Sequence, residues 1–493
     1  MQSFVNIGVV QDLNSSFDAM INLCIQMAIS NFYLGHPNYT PRLRLCTKHA
    51  QNALDVDLAV LELLEHEHVH GILGHPQQST EDKFIAEIGS KVHIPIISFT
   101  ARTSTISTTQ NHYYVRTTID DAVQTRALAS ICRRFEWTEV VFLYEDTEYS
   151  LQFLSHLNKA LQEADIGLTH MTAIPTSAKD KHIFKELSIL NTKRTRVFFL
   201  GAHEPFALFT KKRMMSEGYA WIITDSSSNF LNSMDLTTRH SMEGVVGIRP
   251  YVPLSKDLEN FQERWRMNLK KNKGTIMDLN VYGLWAYDTI KALATAIKKI
   301  GPVNSSSLYV KGTKGTNLII SSYGPQLLRE LSSTKFRGLS GDFQLVDGKL
   351  KPSAFEIFNL IGTGEKRVGF WSPERGIVRE LSSSSINELK KIVWPGDSVE
   401  KPKGRSIPAT RTLKVGVPWK SGYKEFVNVS IDAKTNRTGA TGFAIDIFLA
   451  ALKVLPFHID YEFHCYKCTQ NVNWTYDDML HGIPHQVFDL PLL

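Results

Sequence analysis

The first half of the chain alternates between short apolar runs and longer amphipathic segments. Between residue 4 and about residue 225, the short runs are rich in β-branched and aromatic residues, as in FVNIGVV, HIPIISF, TEVVFLY, TRVFFLG and AWIIT. The segments between them, such as FDAMINLCIQMAISNF and LQFLSHLNKALQEA, have helical spacing of their apolar residues. Short apolar strands that alternate with helices are buried on both faces, so the pattern predicts parallel sheets covered by helices.

This alternation is too long for one sheet and predicts two α/β lobes. We place the division near 116–120, where the strand YYVR passes through TTID into the next helix. The first lobe is predicted to contain about 1–118 with part of 278–335. The second lobe is predicted to contain about 119–250 with part of 336–394. The predicted fold class is therefore α/β, with two parallel-sheet lobes in one bilobal domain.

Two later segments carry distinct local signals. LNVYGLWAYDTIKALATAIKKI predicts a long helix with Asp278 or Asn280 near its cap. GDFQLVDGKL predicts a hairpin that turns at Asp347 and Gly348, because both turn positions favour residues that accept a positive φ angle. FEIFNLIG and KRVGFW predict a second pair of strands.

The domain that these elements form is predicted to end near residue 394. Residues 395–411 are rich in proline, glycine and lysine and lack apolar periodicity, so they are predicted to be a linker. Residues 412–493 begin a new strand–helix–strand set with TLKVGVPW and GFAIDIF. This set covers too little chain to bury its own apolar helix, so we expect that helix to expose an apolar stripe. The residues of the expected stripe are Phe443, Ile445, Ile447, Phe448, Leu449 and Leu452.

Two lobes joined by several crossings imply a cleft, and ligands of open parallel sheets bind beyond the carboxyl ends of the strands. Hydroxyl groups and backbone amides in the loops at those ends suit a small zwitterion or anion. Such loops are polar in most proteins, so a plain loop remains an equal interpretation. The residues predicted at strand ends that line the cleft are Ser98, Thr100, Ala101, Tyr144, Glu145 and Asp225.

Charge and composition exclude several classes of partner. The chain has 55 basic and 49 acidic residues and no dense basic run, so nucleic acid is not predicted as a partner. No signal peptide and no apolar window long enough to span a membrane is visible. Six Asn-X-Ser/Thr sequons favour a secreted or lumenal compartment and are candidates for glycosylation. They begin at Asn14, Asn38, Asn304, Asn428, Asn436 and Asn473.

Two motifs suggest chemistry that the sequence does not support. His66 and His70 match H-E-x-x-H, but the helix is expected to end there, so the two imidazoles should not share a face. Cys465 and Cys468 form a lone CxxC without a second ligand pair, and we predict free or locally paired thiols. No nucleophile is paired with a base, so no catalytic residue, metal or cofactor is predicted, and the protein is not expected to be an enzyme.

The chain resembles the plant glutamate receptor-like proteins, which belong to the ionotropic glutamate receptor family. The resemblance is carried, in order, by VNIGVVQDLNSS, HGILGHPQQS, IPIISFTA, FEWTEVVFLYED, SMEGVVGIRPYVP, LNVYGLWAYD, FRGLSGDFQL, VGFWSPERG, WPGD, LKVGVP, GFAIDIF and TYDDML. It implies a type I periplasmic-binding-like domain over 1–394. It also implies that 412–493 is the first segment of a type II periplasmic-binding-like ligand-binding domain, with the chain stopping before the channel region. HGILGHPQQS resembles the first-lobe loop of the family usually written Gly-Pro-Gln-x-Ser, and this resemblance adds Gln77 and Ser79 to the predicted cleft.

The resemblance also implies a function. It implies the extracellular amino-acid-sensing region of a ligand-gated cation channel at the plasma membrane, with an amino acid ligand and other receptor subunits as partners. The family's carboxylate-binding arginine is missing from 412–493, so that segment is not expected to bind an amino acid alone. Arg102 stands where the family has a small hydroxyl residue. The alternatives are a free-standing amino-acid-binding protein and a non-functional fragment.

Overall fold

The fold is given by a computed structural model. It describes residues 4–74, 79–101, 111–201, 214–271, 276–301, 309–311, 319–382, 387–405, 412–419, 424–432, 437–455, 457–466, 475–480 and 489–492. Its strands are β1 (Phe4–Gln11), β2 (Arg42–His49), β3 (Ile72–Gly74), β4 (Ile96–Ser98), β5 (Tyr114–Arg116), β6 (Glu139–Glu145), β7 (Gly167–Ile174), β8 (Val197–Gly201), β9 (Ala220–Ile223), β10 (Val246–Pro250), β11 (Tyr309–Lys311), β12 (Ile319–Ser321), β13 (Lys335–Arg337), β14 (Asp342–Val346), β15 (Lys349–Leu350), β16 (Phe355–Ile361), β17 (Gly364–Ser372), β18 (Gly376–Val378), β19 (Leu413–Pro418), β20 (Asn428–Ile431), β21 (Thr438–Thr441), β22 (Tyr461–Tyr466) and β23 (Leu490–Pro491). Its α-helices are α1 (Ser16–Leu34), α2 (Ala53–Glu65), α3 (Ser79–Val92), α4 (Asp121–Arg134), α5 (Glu148–Gln162), α6 (Asp180–Asn191), α7 (Asp225–Ser228), α8 (Leu236–Ser241), α9 (Lys256–Lys271), α10 (Val281–Ile300), α11 (Gly324–Ser333), α12 (Phe443–Val454) and α13 (Tyr476–Leu480).

Two large sheets confirm the predicted pair of α/β lobes. The first sheet has the strand order β13-β14-β15-β5-β4-β3-β1-β2, and the second has the order β18-β17-β16-β10-β9-β8-β6-β7. In the first sheet β1 pairs in parallel with β2 and β3, and β4 with β3 and β5. In the second sheet β6 pairs in parallel with β7 and β8, and β9 with β8 and β10. The antiparallel strands of both sheets come from residues after 334.

The chain crosses between the sheets three times: from β5 into α4 and β6, from β10 into α9, and from β15 into β16. Strands β13 to β15 belong to the first sheet, so the last crossing lies near 350–355. Of the range 336–394, therefore, only the part from Phe355 onward adds strands to the second sheet.

The two local turn and cap signals are confirmed. Asn280 is the N-cap of α10, and its side chain accepts a hydrogen bond from the backbone N–H of Tyr282. Asp347 and Gly348 have φ angles of 49° and 72°, and Val346 pairs with Lys349 across the turn. Both central residues of this two-residue turn thus occupy the left-handed region, as a type I′ hairpin requires.

One apolar core extends through both lobes. It joins side chains of α1, α10 and the first sheet to side chains of α4, α5 and the second sheet. Each sheet also has a smaller core on the face that the large core does not cover: one on the second sheet and one on the first. Tyr287 of α10 meets Phe261 of α9 edge to face at 5.0 Å, so the two long helices that follow the second crossing are packed together.

The chain after residue 412 forms a separate five-stranded sheet in the order β20-β21-β22-β19-β23, with α12 packed on it. The expected exposed stripe of α12 is only partly present. Ile445 is buried against Val417 and Val427, and Phe448 is buried with its ring edge to face with Tyr461 and Phe463, which corrects the expectation for Ile445 and Phe448. The residues of α12 that stay exposed include Phe443 and Ile447, at 59% and 53%. None of the helices within the described residues is both long and apolar enough to span a bilayer.

Candidate functional site

The first-lobe wall of the predicted cleft is a tight turn at the end of β4. Ser98 is completely buried, and its Oγ accepts hydrogen bonds from the backbone N–H groups of Ala101 at 3.0 Å and Thr100 at 3.4 Å. The carbonyl of Ala101 accepts a 2.7 Å bond from Oγ1 of Thr118. Ser98 thus shapes this wall by accepting from both amides, and a serine hydroxyl can also donate one hydrogen bond. The structure therefore brings these three predicted residues together.

The second-lobe wall begins at the end of β6. Tyr144 is buried, and its ring stacks on Phe142 with centroids 5.2 Å apart. Glu145 is half-buried at the last position of the strand, and its carbonyl accepts the backbone N–H of Thr147 at 2.8 Å. Thr147 in turn caps α5 by accepting from the N–H of Ser150. This turn and this cap hold Tyr144 and Glu145 at the carboxyl edge of the second sheet.

Asp225 lies two strands away on the same edge. It is the first residue of the short helix α7, directly after β9, and its side chain is completely buried. Tyr144 pairs in register with Gly201 of β8, and β8 pairs with β9, so the three strand ends are consecutive along the edge. A buried carboxylate at a helix N-terminus is stabilised by the helix dipole.

An aromatic contact that the sequence did not predict joins the two walls. Phe17, in the first turn of α1, lies on the first lobe, and Phe230 follows α7 on the second. Their ring centroids are 6.2 Å apart, and Phe17 also meets the edge of Tyr282 at 5.6 Å. The signal was available, because a helix that follows a parallel strand starts at the carboxyl edge, where ligands bind. The carboxyl edges of the two sheets thus face each other at these rings.

A buried ion-pair network fixes the first crossing. The guanidinium of Arg116, which is 1% exposed, donates to Oδ2 of Asp120 at 2.8 Å, and Nζ of Lys349 donates to the same oxygen at 3.2 Å. Oδ1 of Asp120 accepts from the N–H of Ala122 and caps α4. Burial raises the pKa of Asp120, but Arg116, the cap and Lys349 outweigh it, and the pKa is lowered overall. Asp120 is therefore ionised and ties the two lobes at their crossing.

The remaining candidates are placed as follows. Gln77 and Arg102 lie outside the described residues, and Ser79 begins α3 with no side chain described. Asn14, Asn38 and Asn428 are exposed, as glycosylation requires. Asn304, Asn436 and Asn473 lie outside the described residues. All of these assignments stay predictions.

The structure also bears on the H-E-x-x-H and CxxC motifs. α2 ends at Glu65 with His66 as its C-cap, whereas His70 donates its backbone N–H to Asn6 of β1, so the two histidines do not share a helix. Burial lowers the pKa of His70 to about 4. Cys465 is disulfide-bonded and Cys468 lies outside the described residues.

Comparison with known proteins identifies a matching family and similar proteins over most of the chain. Residues 20–363 match the family described as the receptor family ligand binding region. Glutamate receptor 2.2 of Arabidopsis thaliana is 36% identical over 506 residues, which cover 98% of this chain and 54% of that protein. Glutamate receptors 2.9 and 2.8 of the same plant are each 37% identical, covering 99% of this chain and 52% and 53% of their own lengths. The chain thus spans about half the length of the curated relatives it matches.

Proposed function

Since the chain belongs to the plant glutamate receptor-like proteins, we propose that its bilobal domain is the extracellular amino-acid-sensing region of a ligand-gated cation channel. The proposal places the domain on the outer side of the plasma membrane, where it assembles with other receptor subunits. The same premise favours a receptor and not an enzyme, because relatives named as glutamate receptors match nearly the entire chain.

The observation that supports this proposal most is the approach of the two carboxyl edges at Phe17 and Phe230. Between two such edges a small ligand would touch both sheets, and its binding would then stabilise the closed arrangement of the lobes. An amino acid offers a carboxylate and an ammonium group at fixed separation. The hydroxyl donor of Ser98 suits the carboxylate, whereas the carboxylates of Asp225 and Glu145 suit the ammonium group.

Titration calorimetry of the full chain against the common amino acids tests the proposal. We expect saturable heat for at least one amino acid and a loss of about tenfold or more in affinity for Asp225→Asn, because the ammonium group loses a charged partner. The matched control is Asp165→Asn. Asp165 is exposed in the turn before β7, at the opposite edge of the second sheet, and its φ of 57° is one that asparagine accepts.

The absence of saturable heat with every amino acid at millimolar concentration would contradict the proposal. Equal weakening by Asp225→Asn and Asp165→Asn would show that the binding site is elsewhere. The assembly with other subunits is tested separately by sedimentation of the full chain, which should reveal a concentration-dependent species larger than the monomer.

A further inference from the structure

Residues 395–405, which we call the strap, are the described part of the predicted linker 395–411 and lie along the second lobe. Nε1 of Trp137 donates a 2.7 Å hydrogen bond to the carbonyl of Pro402, and the backbone N–H of Arg196 donates a 2.9 Å bond to the carbonyl of Gly404. Gly404 has a φ of +78°, and a Cβ there would lie 2.7 Å from Cδ1 of Trp137. Only glycine fits this position, so the strap is shaped to the lobe.

Charge complementarity supports the same docking. The strap carries three basic residues at alternate positions, and two of them reach acidic residues of the second lobe. Nζ of Lys401 pairs with a carboxylate oxygen of Glu136, and Arg405 pairs with Glu139 at 2.7 Å. Both pairs lie near the surface, so each contributes little alone, and the backbone bonds carry most of the attachment.

The third basic residue of the strap turns the other way, toward the C-terminal sheet unit. Nζ of Lys403 donates hydrogen bonds of 2.5 Å to the carbonyls of both Leu452 and Leu455, at the C-terminal end of α12. These are carbonyls without partners inside the helix, and the end of the helix dipole there attracts a cation. Lys453 of α12 also pairs with Glu400 of the strap at 2.8 Å. The strap therefore binds α12 at the C-terminal end of the helix.

The second lobe and the C-terminal unit also touch directly. The imidazole of His458 lies against Gly218, where an added Cβ would be 2.7 Å from the ring. The backbone N–H of His458 donates to the carbonyl of Arg405 at 2.5 Å. His458 is 3.4 Å from a carboxylate oxygen of Asp460. The pKa of Asp460 is lowered by its hydrogen bond with His458, and the buried Arg196 guanidinium contributes to this shift.

We propose that the strap, residues 453–455 and residues 457–460 join the second lobe and the C-terminal unit into one rigid body, with Lys403 as the positioning residue of the joint. A movement of one lobe relative to the other then carries the C-terminal unit with the second lobe. This coupling depends only on the contacts named above, and it does not require that the cleft bind an amino acid.

Pulsed electron paramagnetic resonance on the full chain tests the joint. One spin-label pair at Leu151 of α5 and Ile447 of α12 reports on the second lobe and the C-terminal unit. A second pair at Leu58 of α2 and Ile447 reports on the first lobe and that unit. All three labelled positions are exposed, at 50%, 53% and 56% for Leu151, Ile447 and Leu58. We expect a narrow distance distribution for the first pair, and Lys403→Met should broaden it at least about twofold.

Two further variants make the test specific. Lys401→Met removes the same charge from the same strap, but its partner is on the second lobe, so the Leu151–Ile447 distribution should stay narrow. Gly404→Ala should broaden that distribution by lifting the strap from Trp137, even if Lys403→Met disturbs folding. A broad distribution in the unmodified chain, or no broadening with either Lys403→Met or Gly404→Ala, would overturn the proposal. Equal broadening by Lys401→Met and Lys403→Met would overturn the role of Lys403.

Discussion

The hydroxyl of Ser340 donates a 2.6 Å hydrogen bond to Oδ2 of Asp288, which lies 52 residues earlier in the chain. The backbone N–H groups of Leu339 and Ser340 donate to the same carboxylate, each at 2.8 Å. Asp288 is on α10 and is 1% exposed. A Cβ at Gly338 would lie 2.4 Å from this carboxylate, so the turn approaches it with bare backbone. One carboxylate thus attaches the turn before β14 to the long helix of the first lobe.

Replacing Asp288 with alanine is expected to destabilise the protein by about 2 kcal/mol or more. The change leaves the buried N–H of Leu339 and the half-buried N–H and hydroxyl of Ser340 without an acceptor, and a buried donor left unpaired costs about 1–3 kcal/mol. Denaturant unfolding measures the difference. Asp342→Ala is the matched control, because Asp342 is exposed on β14 of the same hairpin and should change stability little. Equal losses for the two variants would contradict this role of Asp288.

The same carboxylate predicts a pH dependence of stability. Burial raises the pKa of Asp288 from 3.8 to about 6, although its three hydrogen-bond donors oppose the shift. Between these values the folded chain holds a proton that the unfolded chain has lost. The part of the stability that depends on this extra proton is therefore full below pH 3.8 and is lost as the pH rises to about 6, whereas the hydrogen bonds to the carboxylate remain. The stability of the unmodified chain relative to Asp288→Ala should fall over this window, and a constant difference would contradict the prediction.

His70 predicts a dependence of opposite sign. Burial, with the nearby His68, lowers the pKa of His70 from 6.5 to about 4, so the unfolded chain binds a proton in this range that the folded chain does not. Stability from His70 is present above pH 6.5 and is lost as the pH falls to about 4. Because of His70, the free energy of unfolding of the unmodified chain should fall by on the order of 3 kcal/mol between these pH values, and His70→Gln should remove this part of the fall. Unfolding curves at pH 6.5 and pH 4.5 for both chains check this, and parallel losses would contradict it.

The hairpin turn at Asp347 and Gly348 predicts that substitutions at its two central residues differ in their effect on stability. Gly348→Ala should cost about 1 kcal/mol, because an alanine disfavours a φ of 72°. Asp347→Asn should be nearly neutral, because asparagine accepts the left-handed region at 49°. Thermal unfolding of the two variants measures the contrast. A Gly348→Ala variant as stable as Asp347→Asn would contradict the type I′ geometry.

These cases show which features of the fold are readable from the sequence. The cap at Asn280 and the turn at Asp347 depend on residues within four positions of each other, so local sequence predicts them. The parallel pairing of Lys349 with Arg116 and the contact of Phe17 with Phe230 join residues more than 200 positions apart. Such contacts leave no periodic signal, and only the general rule for carboxyl edges pointed toward the second of them. The predicted cleft residues at strand ends follow that rule, whereas Gln77 and Ser79 depended on resemblance alone.

The three described sequons predict glycans on the surface of a secreted chain. Asn14, Asn38 and Asn428 are exposed, so oligosaccharyltransferase can reach them. Expression of the chain behind a secretion signal in eukaryotic cells should give a mass that falls on enzymatic deglycosylation. Each Asn→Gln change should remove one glycan from the mass spectrum. A chain whose mass is unchanged by deglycosylation would contradict all three assignments.

The strap predicts how the bilobal domain responds to shortening. A chain ended at Trp394 loses the bonds from Trp137 to Pro402 and from Arg196 to Gly404, whereas a chain ended at Arg405 keeps both. Trp394 itself packs edge to face on Trp137, with centroids 5.6 Å apart, so its ring would lie at the new end of the chain. We expect the shorter chain to unfold at a temperature several degrees lower, since about 1–2 kcal/mol of hydrogen bonding is lost and the indole N–H of Trp137 is left without its acceptor. Tryptophan fluorescence during thermal unfolding measures the difference. Equal unfolding temperatures would mean that the strap only rests on the second lobe, and the attachment would then have to come from the residues around His458.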